Sequence, residues 1–284
     1  MTIVVLGATG GQGGAVLAAL RRADRPVRAV VRDPHAARAR SLAESGVELV
    51  RGVLGDPDSL VGAFSGADAA FAVTTPFGPG LEAEKQQGAA IVEAAARTAL
   101  PHLVMASVAS AGQHTGVPHF ETKARTEQLL AASGVPFTVI APTYFFENAL
   151  GSREEIAAGV MSIALPPDTR LQQVSLRNLG QLVAAVLNAP EGWRGARVEV
   201  AGDDPTPAEM ARTIGRQSGS DVILRQVPLE EVRRASPDMG AMFTFLTDVG
   251  YSVDIPGLHD AFPGVPWESF ADWAGEQEWR TSPG

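Results

Sequence analysis

The chain of 284 residues contains no cysteine, and that absence excludes several kinds of chemistry. Without thiols there is no disulfide, no cysteine nucleophile and no cysteine-ligated metal. The five histidines are scattered, and no two of them stand four residues apart. We therefore expect no structural zinc site and no other metal site.

Long apolar runs are also lacking, since none approaches the roughly 20 residues that cross a bilayer. A strand pattern begins at Ile3 and leaves no room for a signal peptide, so we expect a cytoplasmic protein without membrane contact. The net charge is −9, and an acidic surface repels nucleic acid phosphates. Direct binding to nucleic acid is therefore not expected.

Short apolar runs alternate with helical patterns through the first half of the chain. The alternation predicts parallel strands joined by right-handed crossovers, which is an α/β, Rossmann-like, doubly wound sheet. The predicted strands are Ile3–Leu6, Val27–Val31, Val47–Val50, Ala69–Val73, Leu103–Ala106 and Phe137–Ile140. The predicted helices between them are Gln12–Ala23, Pro34–Glu44, Pro57–Phe64, Gly80–Ala99 and Glu121–Ala132.

Strand patterns become sparse after about residue 150, and proline and glycine cluster between Pro256 and Pro266. We expect residues 1–150 to form a nucleotide-binding domain. Residues 151–284 are expected to form a smaller, mixed lobe on the substrate side, with residues 175–200 returning to the larger domain.

The first strand runs directly into a glycine cluster, and a helix pattern follows the cluster. Gly7, Gly10 and Gly13 have the spacing G-x-x-G-x-x-G. Between a strand and a helix, this spacing favours a dinucleotide site, where a tight turn brings backbone amides close to a pyrophosphate. The alternative is a glycine turn that binds nothing.

The end of the second strand bears on which nucleotide is bound. Arg32 comes first there and Asp33 second, and an arginine at this point can pair with the 2′-phosphate of NADP. Arg38 and Arg40 add positive charge on the next helix. NADP(H) is therefore the predicted cofactor and NAD(H) the alternative.

Three further residues follow strand ends. Asp56 follows the third strand, where it can contact an adenine or cap the next helix. Thr74 and Thr75 follow the fourth strand and can line the pyrophosphate and ribose, or form a simple turn before Pro76.

Candidates for the reacting end follow the fifth strand. Ser107 lies where the nicotinamide half of a dinucleotide is expected. Lys123 follows His119 by four residues, and short-chain dehydrogenases carry Tyr-x-x-x-Lys in this region. Because imidazole exchanges protons at neutral pH, His119 is a candidate proton donor; the alternative is a histidine that orients the helix or lines the pocket.

Four stretches together resemble the NmrA-like branch of the atypical short-chain dehydrogenase/reductase superfamily. They are GATGGQGG, the arginine after the second strand, HFETK and SGVPFTVIAPTYFFENAL. The resemblance implies a Rossmann-like fold and an NADP(H) cofactor. The branch includes NADP-sensing regulators, NADPH-dependent quinone reductases and tailoring enzymes of aromatic polyketide pathways.

The resemblance also assigns roles to individual residues. It implies that Lys123 binds the ribose and that Thr74, Thr75, Phe145, Glu147 and Asn148 shape the nicotinamide and substrate end. The residues that match cofactor-loop positions are Gly7, Thr9, Gly10, Gly11, Gln12 and Arg32.

Three functions remain open at this point. The first is an NADPH-dependent reductase of a quinone or a polyketide-like planar aromatic, with His119, Ser107 or water as the proton source and Lys123 in the site. The second is a silent NADP(H) sensor, which the missing tyrosine favours. The third is a tailoring monooxygenase in antibiotic biosynthesis. With any of these functions, the expected protein partner is a second copy of the chain or a regulatory protein.

Overall fold

A computed structural model describes residues 1–279, which contain strands and helices in alternation. The strands are β1 (Ile3–Val5), β2 (Val27–Val31), β3 (Glu48–Arg51), β4 (Ala69–Ala72), β5 (Leu103–Ala106), β6 (Phe137–Pro142), β7 (Tyr144–Phe145), β8 (Val160–Ile163), β9 (Gln173–Val174), β10 (Arg197–Val200) and β11 (Ile223–Gln226).

The helices cover both halves of the chain. They are α1 (Gly11–Arg22), α2 (Ala37–Glu44), α3 (Pro57–Phe64), α4 (Leu81–Arg97), α5 (Pro118–Ala132), α6 (Arg153–Ala157), α7 (Leu176–Asn188), α8 (Pro207–Ser218), α9 (Leu229–Ala235), α10 (Pro237–Asp248), α11 (Ile255–Ala261) and α12 (Phe270–Gly275).

Seven strands form one sheet in the order β10-β6-β5-β4-β1-β2-β3. Strand β1 lies between β2 and β4, and Ile3 pairs in parallel with Val27 on one side and Ala69 on the other. The predicted doubly wound α/β sheet is therefore confirmed. The strand order reverses between β1 and β4, and ligands of such sheets bind outside the carboxyl ends of the strands at this switch point.

The chain divides into two compact units. The first unit comprises Met1–Gln113, His119–Ala141 and Leu179–Glu199, and the second comprises His114–Pro118, Pro142–Asn178 and the chain from Val200 onward. Compactness says nothing about what each unit binds. The division near residue 150 into a cofactor domain and a substrate-side lobe therefore stays a prediction.

The first unit has a core between the sheet and the helices α3 and α4. Alternate residues of β1 and β4 point to this layer, where Val4 and Ala70 are completely buried. Phe64 and Ile91 come from the two helices and are buried to the same degree. Because parallel strands are covered on both faces, short apolar runs were the correct signal for them.

Two helices begin three residues away from the predicted positions. Helix α2 begins at Ala37 rather than Pro34. Helix α5 begins at Pro118 rather than Glu121, so His119 and Phe120 lie in its first turn, where proline is well tolerated. The stretch that begins near Pro256 contains helix α11, which Asp254 caps by accepting a hydrogen bond from the Gly257 amide at 3.2 Å. Cap and first-turn signals outweighed the proline and glycine content there.

The second unit is mixed. Strands β8 and β11 pair in parallel, as do β7 and β9. Phe146 packs against Phe270 and Trp273 at ring-centroid distances of 5.4 and 5.7 Å. Much of the aromatic content of the second half therefore forms core. Within residues 1–279, no helix is both long and apolar enough to cross a membrane.

Helix α1 lies unusually close to the turn that follows β1. A Cβ atom on Gly13 would lie 2.3 Å from the Gly7 carbonyl oxygen and 2.6 Å from that of Leu6. Both neighbours are backbone atoms, so neither can move away by rotation of a side chain. Position 13 therefore accepts only glycine at this helix–strand distance.

We expect Gly13→Ala to lower the free energy of unfolding by about 3 kcal/mol, because the methyl group collides with backbone. Gly62→Ala is the matched control, since Gly62 lies in α3 with nothing within 4 Å of an added Cβ. The control should be stabilised by roughly 0.5–1 kcal/mol through higher helix propensity. Urea unfolding measures both, and equal effects at the two positions would contradict the close contact.

Candidate functional site

The glycine turn leaves the start of α1 open to a ligand. Gly7 has a φ of +70°, and a Cβ there would lie 2.7 Å from Val73 Cγ1. Gly10 is the N-cap residue of α1, no side chain caps the helix, and its first turn has no acidic residue. Free amides and the helix dipole therefore face the turn, which suits an anionic pyrophosphate.

Two arginines lie near this turn; one is hydrogen-bonded to it and the other is exposed. Arg38 Nη1 donates to the Thr9 carbonyl at 3.1 Å and so ties α2 to the glycine turn. Arg32 directly follows β2 and is exposed. Asp33 Oδ1 accepts the His35 amide at 2.8 Å. The acidic side chain after β2 is thus used in a local turn, and Arg32 is the side chain open to a ligand.

Gln12 and Gly11 begin helix α1. Gln12 Oε1 is buried and has no hydrogen-bond partner among the described residues. A buried amide oxygen without a partner is costly, and a bound donor would offset that cost. With the open helix start, this atom indicates that the residues present fit a dinucleotide.

Asp56 and Thr75 are engaged in local contacts. The Asp56 carboxylate caps α3 by accepting the amides of Asp58 and Ser59 at 3.0 and 3.4 Å. The Thr75 amide donates to Gln87 Oε1 at 3.0 Å. The capping role weighed for Asp56 is present, and an adenine contact by this residue stays a prediction.

A buried ion pair lies beside the end of β4. Lys123 Nζ on α5 donates to the Thr74 carbonyl at 2.7 Å and to Thr74 Oγ1 at 2.8 Å. It also lies 2.9 Å from Glu84 Oε1 on α4. Thr74 Oγ1 and the Thr122 hydroxyl both donate to the same carboxylate. Glu84 is completely buried, and this network joins three elements of the first unit.

Each of the three ammonium protons of Lys123 has an acceptor in this network. Burial lowers the pKa of Lys123, and the Glu84 carboxylate opposes that shift. A ribose contact by Lys123 requires one of these bonds to be exchanged. The predicted ribose role of Lys123 stays a prediction, and the structure adds a positioning role for this residue.

Ser107 lies in a second polar cluster of the first unit. Its hydroxyl donates to Glu127, and Glu127 Oε2 accepts from Arg197 Nε at 2.9 Å. Arg197 Nη2 also donates to the Val108 carbonyl at 2.9 Å. With its proton directed to Glu127, Ser107 offers oxygen lone pairs to a ligand. In this geometry it is an acceptor, whereas the sequence interpretation included it among the proton sources.

His119 is nearly buried among aromatic rings. Its ring lies 5.9 Å from that of Phe77 and 4.8 Å from that of Phe120, the latter edge to face. Its backbone carbonyl oxygen lies 2.9 Å from Thr122 Oγ1, whose proton is donated to Glu84. His119 therefore lies one turn before Lys123, in the same helix as the buried ion pair.

Sequence reasoning missed Glu84, although the chain carries a signal for it. Glu84 belongs to a stripe with Gly88, Ile91 and Ala95, whose spacing places all four on one face of α4. A Cβ on Gly88 would lie 2.3 Å from Thr126 Oγ1, so α4 and α5 meet at close range here. A carboxylate within an otherwise apolar stripe indicates a buried partner of opposite charge.

Phe145 and Asn148, which were assigned to the cofactor, belong to the second unit. Tyr144 and Asn148 line a cavity there, and their side chains are hydrogen-bonded to each other. The Glu147 carboxylate accepts the Leu176 amide at 3.0 Å and so caps α7. A cofactor role for Phe145 and Asn148 stays a prediction. Among residues 1–279, no group of three or more metal-ligating side chains is found.

Because Glu84 and Lys123 form a buried ion pair, we expect the effects of replacing them on the free energy of unfolding to be strongly coupled. Glu84→Gln leaves the Lys123 ammonium buried without a counter-charge, and Lys123→Met leaves the carboxylate likewise. Each should cost about 3 kcal/mol of unfolding free energy, and the double variant should cost much less than the sum. Denaturant unfolding of all four proteins completes the cycle.

A surface pair provides the control for that cycle. Lys85 and Glu82 lie 2.6 Å apart on the exposed face of α4. Replacing either one should leave unfolding nearly unchanged, because exposed pairs contribute little. Additive losses at Glu84 and Lys123 would show that the two do not act as a pair.

Burial raises the pKa of Tyr144 to about 12, and its hydrogen bond with Asn148 acts in the opposite direction. The folded protein therefore keeps this proton after the unfolded chain has lost it. Stability should fall as pH rises from the ordinary tyrosine value of 10.0 to about 12. Tyrosinate absorbance should show this late step in the wild type and not in Tyr144→Phe. Since the chain has two tyrosines, the raised pKa is contradicted only if the step that Tyr144→Phe removes lies near pH 10.

The chain resembles known reductases in sequence and in fold. An NAD(P)H azoreductase of Xenophilus azovorans is 27% identical over 282 residues, which is 96% of each chain. Quinone oxidoreductase 2 of Escherichia coli is 25% identical, over 91% of this chain and 90% of that protein.

Solved structures show the same fold. The Citrobacter sp. triphenylmethane reductase complexed with NADP(H) has a TM-score of 0.81 at 23% identity, over 96% of this chain and 99% of that one. The model of the NmrA-like family matches residues 1–270. The chain therefore belongs to the NmrA-like family.

Proposed function

We propose that the protein is an NADPH-dependent reductase of a quinone or a related planar aromatic compound. The observation that carries the proposal is the open glycine turn of the first unit, with uncapped amides at the start of α1 and Arg32 at the end of β2. Relatives named as an NAD(P)H azoreductase and a quinone oxidoreductase support the same class of reaction.

The residues present favour NADP over NAD. Arg32 is exposed and available to a 2′-phosphate, whereas Asp33 accepts a local amide and is poorly placed for ribose hydroxyls. Arg38 holds the glycine turn through the Thr9 carbonyl. Gly7, Gly10, Gly11 and Gln12 would hold the pyrophosphate, and Thr74 and Thr75 would lie beside it.

When bound, the cofactor supplies a hydride, and the substrate then needs a proton. A quinone requires little further help, because the hydroquinone anion it forms is already stable. Ser107 accepts a hydrogen bond and holds a donor group of the ligand, since its own proton is directed to Glu127. His119 or water is then the proton source.

A second candidate function is an NADP(H) sensor that turns nothing over. It is favoured by one observation, namely that the lysine of the Tyr-x-x-x-Lys pattern is present without its tyrosine and has all three protons engaged. The buried pair then keeps the site in shape without taking part in chemistry. Turnover decides between the two functions.

The decisive measurement is the decay of nicotinamide absorbance with NADPH, and in parallel NADH, in the presence of naphthoquinone. We expect saturable decay that prefers NADPH. Arg32→Ala should raise the KM for NADPH about tenfold and leave that for NADH unchanged, because one charge-assisted contact to the 2′-phosphate is lost. Arg22→Ala is the control, because Arg22 is an exposed arginine in the last turn of α1, at the opposite end of the helix from the glycine turn.

The variants also separate the roles within the proposal. His119→Gln should lower kcat if the imidazole supplies the proton, and unchanged turnover would assign that proton to water. Tight NADPH binding without decay across a panel of quinones would overturn the reductase and leave the sensor. Equal losses in Arg32→Ala and Arg22→Ala would remove Arg32 as the source of nucleotide preference.

A further inference from the structure

Helix α8 of the second unit forms one wall of a surface cavity of about 410 Å³, called the α8 cavity below. Arg170 lines it from the chain before β9. The other lining residues with charged or hydroxyl side chains on this wall follow one another at intervals of three or four along one face of α8, and they are Glu209, Arg212, Thr213 and Arg216. The α8 cavity therefore has three arginines in its wall, in a chain whose net charge is −9.

Two carboxylates also line the α8 cavity, and both are already engaged. Asp203 accepts two backbone amides, at 2.7 and 2.9 Å. Glu209 accepts the Thr206 amide at 2.8 Å and lies 3.5 Å from Arg170 Nη1. The hydrogen bond from Thr206 lowers the pKa of Glu209, and Arg170 and Arg212 act in the same direction. One helix-capping carboxylate is thus shared between two arginines.

Two of the three arginines have most of their donors free. Arg170 Nη1 lies 3.5 Å from the carboxylates of Asp204 and Glu209. Arg212 and Arg216 are exposed, and neither forms an ion pair with a residue between 1 and 279. Arg216 Nη2 donates to Thr213 Oγ1 at 3.1 Å. Because a guanidinium has five N–H groups, both side chains keep donors for an anion in the α8 cavity.

The strongest observation concerns the Thr213 hydroxyl. Thr213 is only 7% exposed, and its Oγ1 accepts from Arg216 while its own proton has no acceptor among the described residues. Other helical threonines of this chain, Thr126, Thr244 and Thr247, donate to the carbonyl four residues earlier. Since buried hydroxyl protons normally have an acceptor, this one indicates an acceptor that enters the α8 cavity.

The donors suit a phosphate group, and the space suits a larger molecule that carries one. Arginine matches the geometry of phosphate oxygens, and a phosphate monoester has nearly two negative charges at neutral pH, one for each unpaired arginine. A volume of about 410 Å³ lies within the roughly 300–1,000 Å³ of small-molecule sites and exceeds the size of a phosphate ion. Pro205 and Ala271 add a short apolar stretch to the wall.

We propose that the α8 cavity binds a small phosphorylated compound, whose phosphate accepts hydrogen bonds from Arg212, Thr213 and Arg216. The Thr213 proton then has an acceptor, and the two unpaired arginines have a counter-charge. The site goes beyond the proposed reductase and does not depend on it, because none of its residues belongs to the first unit, which contains the glycine turn.

The test is calorimetric titration of the full chain with phenyl phosphate, with and without saturating NADP⁺. The wild type should bind one equivalent in the α8 cavity under both conditions. Arg216→Ala removes a charged donor and should weaken binding about tenfold. Thr213→Val removes a neutral donor with little change in shape and should weaken binding about fivefold.

The chain offers a matched pair of controls outside the α8 cavity. Arg233 Nη2 donates to Thr244 Oγ1 at 3.0 Å, which repeats the contact between Arg216 and Thr213. Thr244 already donates its proton to a backbone carbonyl at 2.8 Å. Arg233→Ala and Thr244→Val should therefore bind phenyl phosphate like the wild type. Thermal melting of the four variants confirms that each is folded.

Two further probes test the chemistry of the ligand. Phenyl sulfate has the same ring and only one negative charge, so it should bind at least about fivefold more weakly than phenyl phosphate. Inorganic phosphate lacks the ring and should also bind more weakly. Equal affinity for phenyl sulfate would remove the match to a doubly charged group, and equal affinity for inorganic phosphate would assign the α8 cavity to the free anion. Either result would overturn the proposal.

The remaining outcomes separate this site from the candidate cofactor site. The proposal fails if the wild type does not bind phenyl phosphate, or if Arg216→Ala and Thr213→Val bind it like their controls. Binding that disappears when NADP⁺ is added would place the probe in the glycine turn, and the proposal would fail again. A wild type that binds phenyl phosphate as expected and consumes no NADPH with any quinone would keep the α8 site and lose the reductase.

Discussion

The contact between Gly13 and the Gly7 carbonyl is the constraint on which the candidate cofactor site depends. Because α1 touches the turn after β1 backbone to backbone, the first amides of the helix point at that turn without an intervening side chain. Arg38 then fixes the turn from the outside through the Thr9 carbonyl. The candidate anion site is therefore formed by main-chain atoms, and no side chain is needed to create it.

The sequence was sufficient for those parts of the fold that are encoded locally. A strand, three spaced glycines and a helix pattern follow one another within the first 22 residues, so the turn could be inferred without knowledge of the rest. The parallel sheet could be predicted equally well, since its strands are short apolar runs separated by amphipathic helices. Helix α5 begins three residues before the predicted position, at a proline, which the first turn of a helix tolerates well.

The polar networks could not be predicted from the sequence in the same way. Glu84 and Thr122 are separated by 38 positions, and Ser107 and Glu127 by 20. Which side chains meet depends on how α4, α5 and the ends of β4 and β5 pack, and no local pattern encodes that. The apolar cavity of the second unit has the same origin, since Tyr144, Ser162 and Phe243 come from three elements. That no charged side chain lines this cavity became evident only in three dimensions.

The pairing of Lys123 with Glu84 also has a consequence for how this chain can change over time. Replacing either residue alone leaves a buried charge without its partner. A single substitution at either position therefore gives a destabilised protein. A lineage that loses the lysine is under pressure to lose the carboxylate with it, or to gain stability elsewhere first. The two positions, 39 residues apart in the chain, are therefore expected to be substituted together.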